Sequence, residues 1–171
     1  IDPLTGLYNR RHLYEAGAQE IERARRQAVP LAALVIDLDD FKQVNDAHGH
    51  IAGDALLRAV AASCRASVRP YDIVARHGGE ELVVLSPSTS VDEALQLAER
   101  LREAIAALAV ATESGVRLTP TASIGVATYD RSQQSLAALL DDADRAMYVA
   151  KRGGKNRVAL APPRGAAPTA G

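Results

Sequence analysis

Ile73-Val74-Ala75-Arg76-His77-Gly78-Gly79-Glu80-Glu81-Leu82-Val83-Val84-Leu85 is the stretch from which the fold is read. Two short apolar runs, Ile73 to Arg76 and Leu82 to Leu85, flank a turn containing Gly-Gly, the pattern of a β-hairpin. The acids Glu80 and Glu81 sit where the chain turns back. Upstream, Leu31 to Ile36 is continuously apolar and closes on Asp37, as a strand buried on both faces does when it ends at an acidic tip. If that strand lies beside the hairpin, the carboxylates of Asp37 and Glu80 converge at one edge of a sheet. Their repulsion would be costly unless a cation filled the gap. Oxygen ligands of this kind suit Mg²⁺, with Mn²⁺ a close substitute, and a pair of such ions can clamp the attacking and leaving oxygens of a phosphoryl or nucleotidyl transfer. Read alone, however, a Gly-Gly turn followed by acids is ordinary hairpin chemistry. Asp39 or Asp40 reads equally well as the cap of the helix that follows.

Outward from this centre the period changes to helical. Leu13, Ala16, Ile21 and Ala24 recur among charges in a helix over Arg11 to Arg26, ended by Pro30. Further helices are expected over Asp40 to Asp46 and Gly53 to Ser67. Ser90 with Glu93 forms a capping box ahead of Ala94, Leu95, Ala98, Leu101, Ile105 and Leu108, a helix with one apolar face. Thr121 to Ala127 reads as a strand entered from Pro120, and a last amphipathic helix spans about Leu136 to Lys151. Strands and helices alternate without βαβ regularity, and at least one hairpin is present. The fold class expected is therefore α/β (α+β), a central mixed sheet flanked by helices.

Composition bounds the rest. The 171 residues suffice for one domain, expected over 1–160, with an Ala/Pro/Gly-rich tail over 161–171 that has little to bury and is expected to be disordered. The net charge of −1 provides no general field for nucleic acid or an anionic membrane, so nucleotide chemistry must come from local charges. Cys64 is the single cysteine, which excludes an internal disulfide and favours a reducing compartment. No apolar run approaches the roughly 20 residues that span a bilayer, and no signal peptide opens the chain. A cytoplasmic domain is expected, although a parent protein could be membrane-anchored.

Several ordered motifs together resemble the GGDEF family of diguanylate cyclases. Asp2-Pro-Leu-Thr-Gly-Leu-Tyr-Asn-Arg-Arg11 is similar to the family's opening segment, and Asp37-Leu-Asp-Asp-Phe-Lys-Gln-Val-Asn-Asp46 to its metal and nucleotide strand-loop. Gly49-His50 with Gly53-Asp54 continues that block. Arg76-His-Gly-Gly-Glu-Glu-Leu82 stands at the name-giving signature, Ser123-Ile-Gly-Val-Ala127 at a later strand, and Ala143-Asp-Arg-Ala-Met-Tyr-Val-Ala-Lys151 at the final helix. The resemblance covers Asp2 to Val158. It implies a nucleotidyl-cyclase, polymerase-palm-like fold and the condensation of two GTP into cyclic di-GMP. It further implies Mg²⁺ on Asp37, Glu80 and the Leu38 carbonyl, with Glu80 as candidate base and Glu81 in support. Phe41, Asn45 and Asp54 fall at nucleotide-binding positions, Asn45 and Asp54 reading guanine. A carboxylate accepts from N1–H and the 2-amino group together, a donor pair that adenine lacks. Lys42, Lys151 and Lys155 fall where the triphosphate is met.

Arg69-Pro-Tyr-Asp72 precedes Gly78 at the family's spacing for an inhibitory site that holds the product, and Arg100 resembles an arginine that joins that site from a neighbouring subunit. Arginine recognises phosphate or guanine, and Asp72 can accept from guanine. Three positions depart from the family pattern: Leu82 for phenylalanine, His77 for a more usual aromatic, and Lys155 for a frequent arginine. His48 and His50 read as loop and helix-start residues rather than metal ligands. Each domain is expected to hold one GTP, so catalysis requires a homodimer, and an upstream sensor domain is expected to have been lost from this chain. The alternative is a catalytically silent receptor for cyclic di-GMP, although silent members typically lose an acid that this chain retains.

Overall fold

In the computed structural model, which describes residues 1–133 and 135–164, the continuous apolar run of Leu31 to Ile36 becomes the central strand of a five-stranded mixed sheet. The elements follow in the order α1 (Arg10–Gln27), β1 (Leu31–Leu38), α2 (Phe41–His48), α3 (His50–Ser67), β2 (Ile73–Arg76), β3 (Glu81–Pro87), α4 (Val91–Ala106), β4 (Val110–Ala111), β5 (Arg117–Leu118), β6 (Ala122–Thr128), α5 (Leu136–Arg152) and β7 (Val158–Leu160). The sheet order is β2-β3-β1-β6-β7. All neighbours are antiparallel except β6 and β7.

β1 has no polar side because both of its faces are covered. Leu34 and Ile36 join Leu82, Val84, Ile124 and Leu56 in a core beneath α3 and α4. Ala33 and Val35 join Val83, Leu85, Leu13 and Leu139 beneath α1 and α5. Side chains alternate across a strand, so a run buried on both faces must be apolar throughout.

Helix boundaries follow the expected chemistry closely. Ser90 caps α4, its hydroxyl accepting from the Glu93 N–H while the Glu93 carboxylate accepts from the Ser90 N–H. Asn9 caps α1 by accepting from the His12 N–H at 2.9 Å. α3 starts three residues earlier than expected, at His50, after Gly49 takes φ +85°. The small hairpin β4–β5 and the edge strand β7 were not anticipated, since strands of two or three residues carry too little periodicity to be read. Beyond residue 160 the chain still makes contacts with the sheet and α5. The Ala161 N–H donates to Val126 O, and the Arg164 guanidinium holds the buried Asp142 carboxylate at 2.7 Å. Of the tail expected to be disordered, residues 165–171 lie outside the described residues. Among the described residues no helix is long and apolar enough to cross a membrane.

Candidate active site

The C-terminal end of β1 is where chemistry-bearing groups accumulate. Asp37 lies opposite Glu81 of β3 on one side and Ser123 of β6 on the other. In the register Asp37 pairs with Glu81, and Glu80 lies one residue before β3. A shift of one residue moves a side chain to the other face of a sheet. Glu80 closes the turn just before β3, half-buried, and its carbonyl accepts from the Leu38 N–H at 3.4 Å.

Lys151, from the last turn of α5, reaches back into this strand end. Its ammonium lies 2.8 Å from Asp37 Oδ1, 2.9 Å from Asp39 Oδ1 and 3.1 Å from the Leu38 carbonyl. Burial alone would lower the Lys151 pKa, but the two carboxylates outweigh it and raise it, so the ammonium form is held. Asp37 is pushed above its ordinary value chiefly by burial; Lys151 opposes this, and the charges of Glu81 and Asp39 add to it. On α5, Asp144 is raised as well, by burial and by Glu81, Asp141 and Asp37. The acidic field therefore extends from the strand end onto the helix above it.

These groups fit a hard divalent cation. An ammonium already sits in an all-oxygen cradle made by the Asp37 and Asp39 carboxylates and the Leu38 carbonyl, and Glu81 pairs with Asp37 across the ladder. Among the described residues no three His, Cys, Asp or Glu side chains lie close enough to hold a metal by themselves. One or two carboxylates with the remaining positions left to phosphate and water is the ordinary arrangement for Mg²⁺.

Asp39, which the sequence leaves open between a site acid and a helix cap, is the most heavily bonded carboxylate at this strand end. Its side chain is 2% exposed and accepts four hydrogen bonds: Thr121 Oγ1 and Ser123 Oγ at 2.7 Å, and Lys151 Nζ and the Asn156 N–H at 2.9 Å. Burial pushes its carboxyl up, yet these donors together hold it below the usual carboxylate value. The actual N-cap residue of α2 is Asp40, in the left-handed region at φ +56° and making no side-chain cap bond. Asp40 instead receives Lys155 at 2.5 Å. Lys155 and Asn156 also take positive φ, 65° and 46°, which bends the chain after α5 so that the Asn156 N–H meets Asp39. Two of the three expected triphosphate lysines are thus brought to the end of β1. Lys42 stands exposed in the first turn of α2.

α3 packs on α2 so that Phe41 and Asn45 lie against Gly53, the neighbour of Asp54 in the chain. Asn45 Oδ1 is buried without a partner. A Cβ on Gly53 would collide with that oxygen and come within 3.2 Å of Phe41 Cζ, so glycine is required for α3 to pack this closely on α2. Gly53 therefore belongs to the site although it carries no chemistry of its own.

The Arg69–Asp72 turn lies beyond the far end of β2, a strand whose four residues span about 13 Å. Asp72 is buried. Its Oδ2 accepts from the Arg69 N–H at 2.8 Å, and its Oδ1 has no partner. The Arg69 guanidinium is exposed, lies over the Tyr71 ring at 5.9 Å and donates to its hydroxyl at 3.1 Å. Arg100, expected to serve a neighbouring subunit, donates to the Ser67 carbonyl of its own chain at 3.3 and 3.1 Å. A cleft of about 390 Å³ opens beside this turn, lined by Arg65, Val68, Arg69, Pro70 and Asp72 among others. His48 and His50 are exposed at the junction of α2 and α3.

Residues 1–157 match the family model described as diguanylate cyclase, GGDEF domain. The diguanylate cyclase DgcP of Pseudomonas aeruginosa is 44% identical over 160 residues, which are 94% of this chain and 24% of that protein. The response regulator PleD of Caulobacter vibrioides is 40% identical over 158 residues, 92% of this chain and 35% of that protein. The chain thus spans about a quarter to a third of the length of these curated relatives. The crystal structure of the GGDEF domain of DgcB from Caulobacter crescentus in complex with c-di-GMP superposes with a TM-score of 0.91 at 30% identity, covering 95% of this chain and 93% of that one. The active GGEEF domain of a diguanylate cyclase from Vibrio cholerae gives 0.85 at 31% identity, covering 92% and 99%. With the strand end, the acidic hairpin and the returning lysine lying on a sheet shared with those domains, and the family match running through β6 and α5, the chain belongs to the GGDEF domain family of diguanylate cyclases.

Proposed function

We propose that this domain condenses two GTP into cyclic di-GMP and two pyrophosphates. The observation that carries the reading is the oxygen cradle at the end of β1, where the Asp37 and Asp39 carboxylates and the Leu38 carbonyl already surround the Lys151 ammonium, with Glu81 paired opposite Asp37 in the ladder. Asp37, Leu38 and Glu81 would hold Mg²⁺, or Mn²⁺ in its place. When bound, the metal supplies charge stabilisation for the α-phosphate oxygens and lowers the pKa of a coordinated hydroxyl.

The protein's own groups divide the remaining work. Asn45 and Asp54 accept and donate along the guanine edge, with Phe41 and Gly53 shaping the pocket. Adenine would leave those polar groups unpaired at a cost of about 1–3 kcal/mol, so selection for GTP is real and finite. Lys42, Lys151 and Lys155 balance the charge on the departing pyrophosphate. Glu80, at the mouth of the hairpin, takes up the ribose 3′-hydroxyl proton. The 3′-oxygen then bonds to the α-phosphorus of the second GTP as the bond to pyrophosphate breaks, and the same step repeated closes the ring. Because each domain holds one GTP, the reaction proceeds between two copies in a two-fold arrangement. A sensor domain upstream, and a cytoplasmic location for this domain, complete the reading.

Arg69 and Asp72 form the core of a separate product site, with Arg100 anchored beside it. The unpartnered Asp72 Oδ1 is the acceptor that guanine N1–H or its amino group would satisfy. Product held there, away from the strand end, inhibits by stabilising a pairing of domains in which the two GTP sites do not face each other.

Incubating the domain at high concentration with GTP and Mg²⁺, and separating products by chromatography, is expected to yield cyclic di-GMP. Glu80→Gln should lower the rate about 10²–10⁴-fold, and Arg69→Ala should relieve product inhibition. Wild type that binds cyclic di-GMP and makes none would establish the receptor alternative instead. Inhibition unchanged in Arg69→Ala would rule out the second site. In the same assay, Gly53→Ala should raise KM for GTP about tenfold by displacing Asn45, which corresponds to about 1.4 kcal/mol. An unchanged KM would mean that Asn45 does not read the base.

A further inference from the structure

His77 departs from the family's usual aromatic residue, and its ring is turned toward the acidic centre. His77 Nδ1 lies 2.6 Å from Glu81 Oε1, and the two side chains are only 20% and 22% exposed. An ionised carboxylate can only accept, so Nδ1 carries the proton. In the neutral ring Nε2 is then an acceptor, and the Tyr14 hydroxyl of α1 lies 3.4 Å from it. The two rings also stack, with centroids 6.0 Å apart at 24°. The backbone closes the same unit, the His77 N–H donating to the Glu81 carbonyl at 2.9 Å. On its other flank Arg10 lies over the Tyr14 ring at 5.5 Å.

Glu81 has reason to be held. It faces Asp37 across the ladder, and the charge of Asp144 on α5 also bears on it. Repulsion from two neighbouring acids favours rotamers that carry the Glu81 carboxylate away from the gap between them. A donor fixed on one oxygen removes that freedom and leaves the second oxygen's lone pairs for another ligand. A phenylalanine or tyrosine ring at position 77 has no donor in the position of Nδ1.

We propose that His77, braced by Tyr14, is a positioning residue that orients the Glu81 carboxylate for a divalent cation shared with Asp37. A hydrogen bond from a histidine to a metal-binding carboxylate sets both its direction and its remaining lone pairs. Loss of such a partner typically weakens metal affinity about 10–100-fold. The brace also ties the catalytic hairpin to α1, so displacement of α1 would reach Glu81 through two side chains. The inference rests on the cyclase reading only in taking Glu81 as a metal ligand.

The test is a Mn²⁺ titration followed by electron paramagnetic resonance, in the presence of α,β-methylene GTP, which cannot release pyrophosphate. His77→Phe should raise the Mn²⁺ dissociation constant about tenfold or more. His77→Asn, whose amide nitrogen falls near the position of Nδ1, should recover most of the loss. Tyr14→Phe should move the constant in the same direction by less. Melting temperatures matched between His77→Phe and His77→Asn separate positioning from folding, and Tyr14→Phe provides the readout if the phenylalanine variant folds poorly. An Mn²⁺ affinity unchanged in His77→Phe and Tyr14→Phe, or an asparagine variant no better than the phenylalanine one, overturns the proposal. A domain that makes no cyclic di-GMP yet loses Mn²⁺ affinity in His77→Phe refutes the cyclase reading and keeps this one; product formation with an unmoved Mn²⁺ affinity does the reverse.

Discussion

Asp39→Ala is expected to remove about 3–5 kcal/mol of stability, the usual cost of breaking a buried ion pair by deleting one partner. For a chain of this size that corresponds to a melting temperature lower by about 6–20 °C. Four donors from three segments converge on this carboxylate: Thr121 just before β6 and Ser123 within it, Lys151 on α5, and the Asn156 N–H in the turn after α5. Without it, two hydroxyls and an N–H lose their acceptor. Lys151 keeps only Asp37 and the carbonyls of Asp37 and Leu38. Turnover should fall further than stability alone explains, since Lys151 and the Lys155 turn are no longer drawn to the end of β1. Asp39→Asn is the sharper control: its amide matches the carboxylate in size but presents a donor where only donors arrive. Thermal melts followed by circular dichroism, with cyclase assays well below the transition, check both statements. An alanine variant that melts with the wild type would show that the four bonds are dispensable.

Gly125→Ala should be the most damaging small substitution in the sheet, costing about 3 kcal/mol or more, at or above the upper end of ordinary overpacking. A Cβ at this position would strike the Ala143 carbonyl and the Met147 backbone nitrogen, and would lie 2.9 Å from Met147 Cα. All three atoms are helix backbone, so no side chain can rotate out of the way. α5 must instead move off β6, and α5 carries both Asp144 and Lys151. Loss of soluble protein, or a melting temperature lower by about 6 °C or more, is expected. Wild-type melting would mean that α5 can slide at little cost.

How much was legible can be followed residue by residue. The strand of Leu31 to Ile36 was plain because burial on both faces leaves no polar position in the run. The Ser90–Glu93 box was plain because capping is local chemistry with a fixed three-residue spacing. β7 was not, because its pairing partner lies more than thirty residues upstream in β6 and its three residues carry no pattern of their own. For the site, Asp37, Lys151, Asn45 and Asp54 were expected from motif resemblance. Asp39 was ambiguous because a strand-end acid before a helix has two local readings, and only its four partners decide between them. Gly53 and the His77–Tyr14 brace were invisible because each is defined by what lies against it.

The residues by themselves determined the mixed sheet, the hairpin, the order of helices, and the gathering of acids at the end of β1, since apolar periodicity and turn chemistry are written locally along the chain. What only the tertiary structure decided is the register between β1 and β3. Counting along the chain cannot say whether Asp37 meets Glu80 or Glu81, because both acids follow the same turn and either pairing buries an apolar strand beside β1. The packing of Leu82 and Val84 beneath α3 and α4, and of Val83 and Leu85 beneath α1 and α5, selects one of the two alternations. That choice places Glu81 opposite Asp37 and within reach of His77.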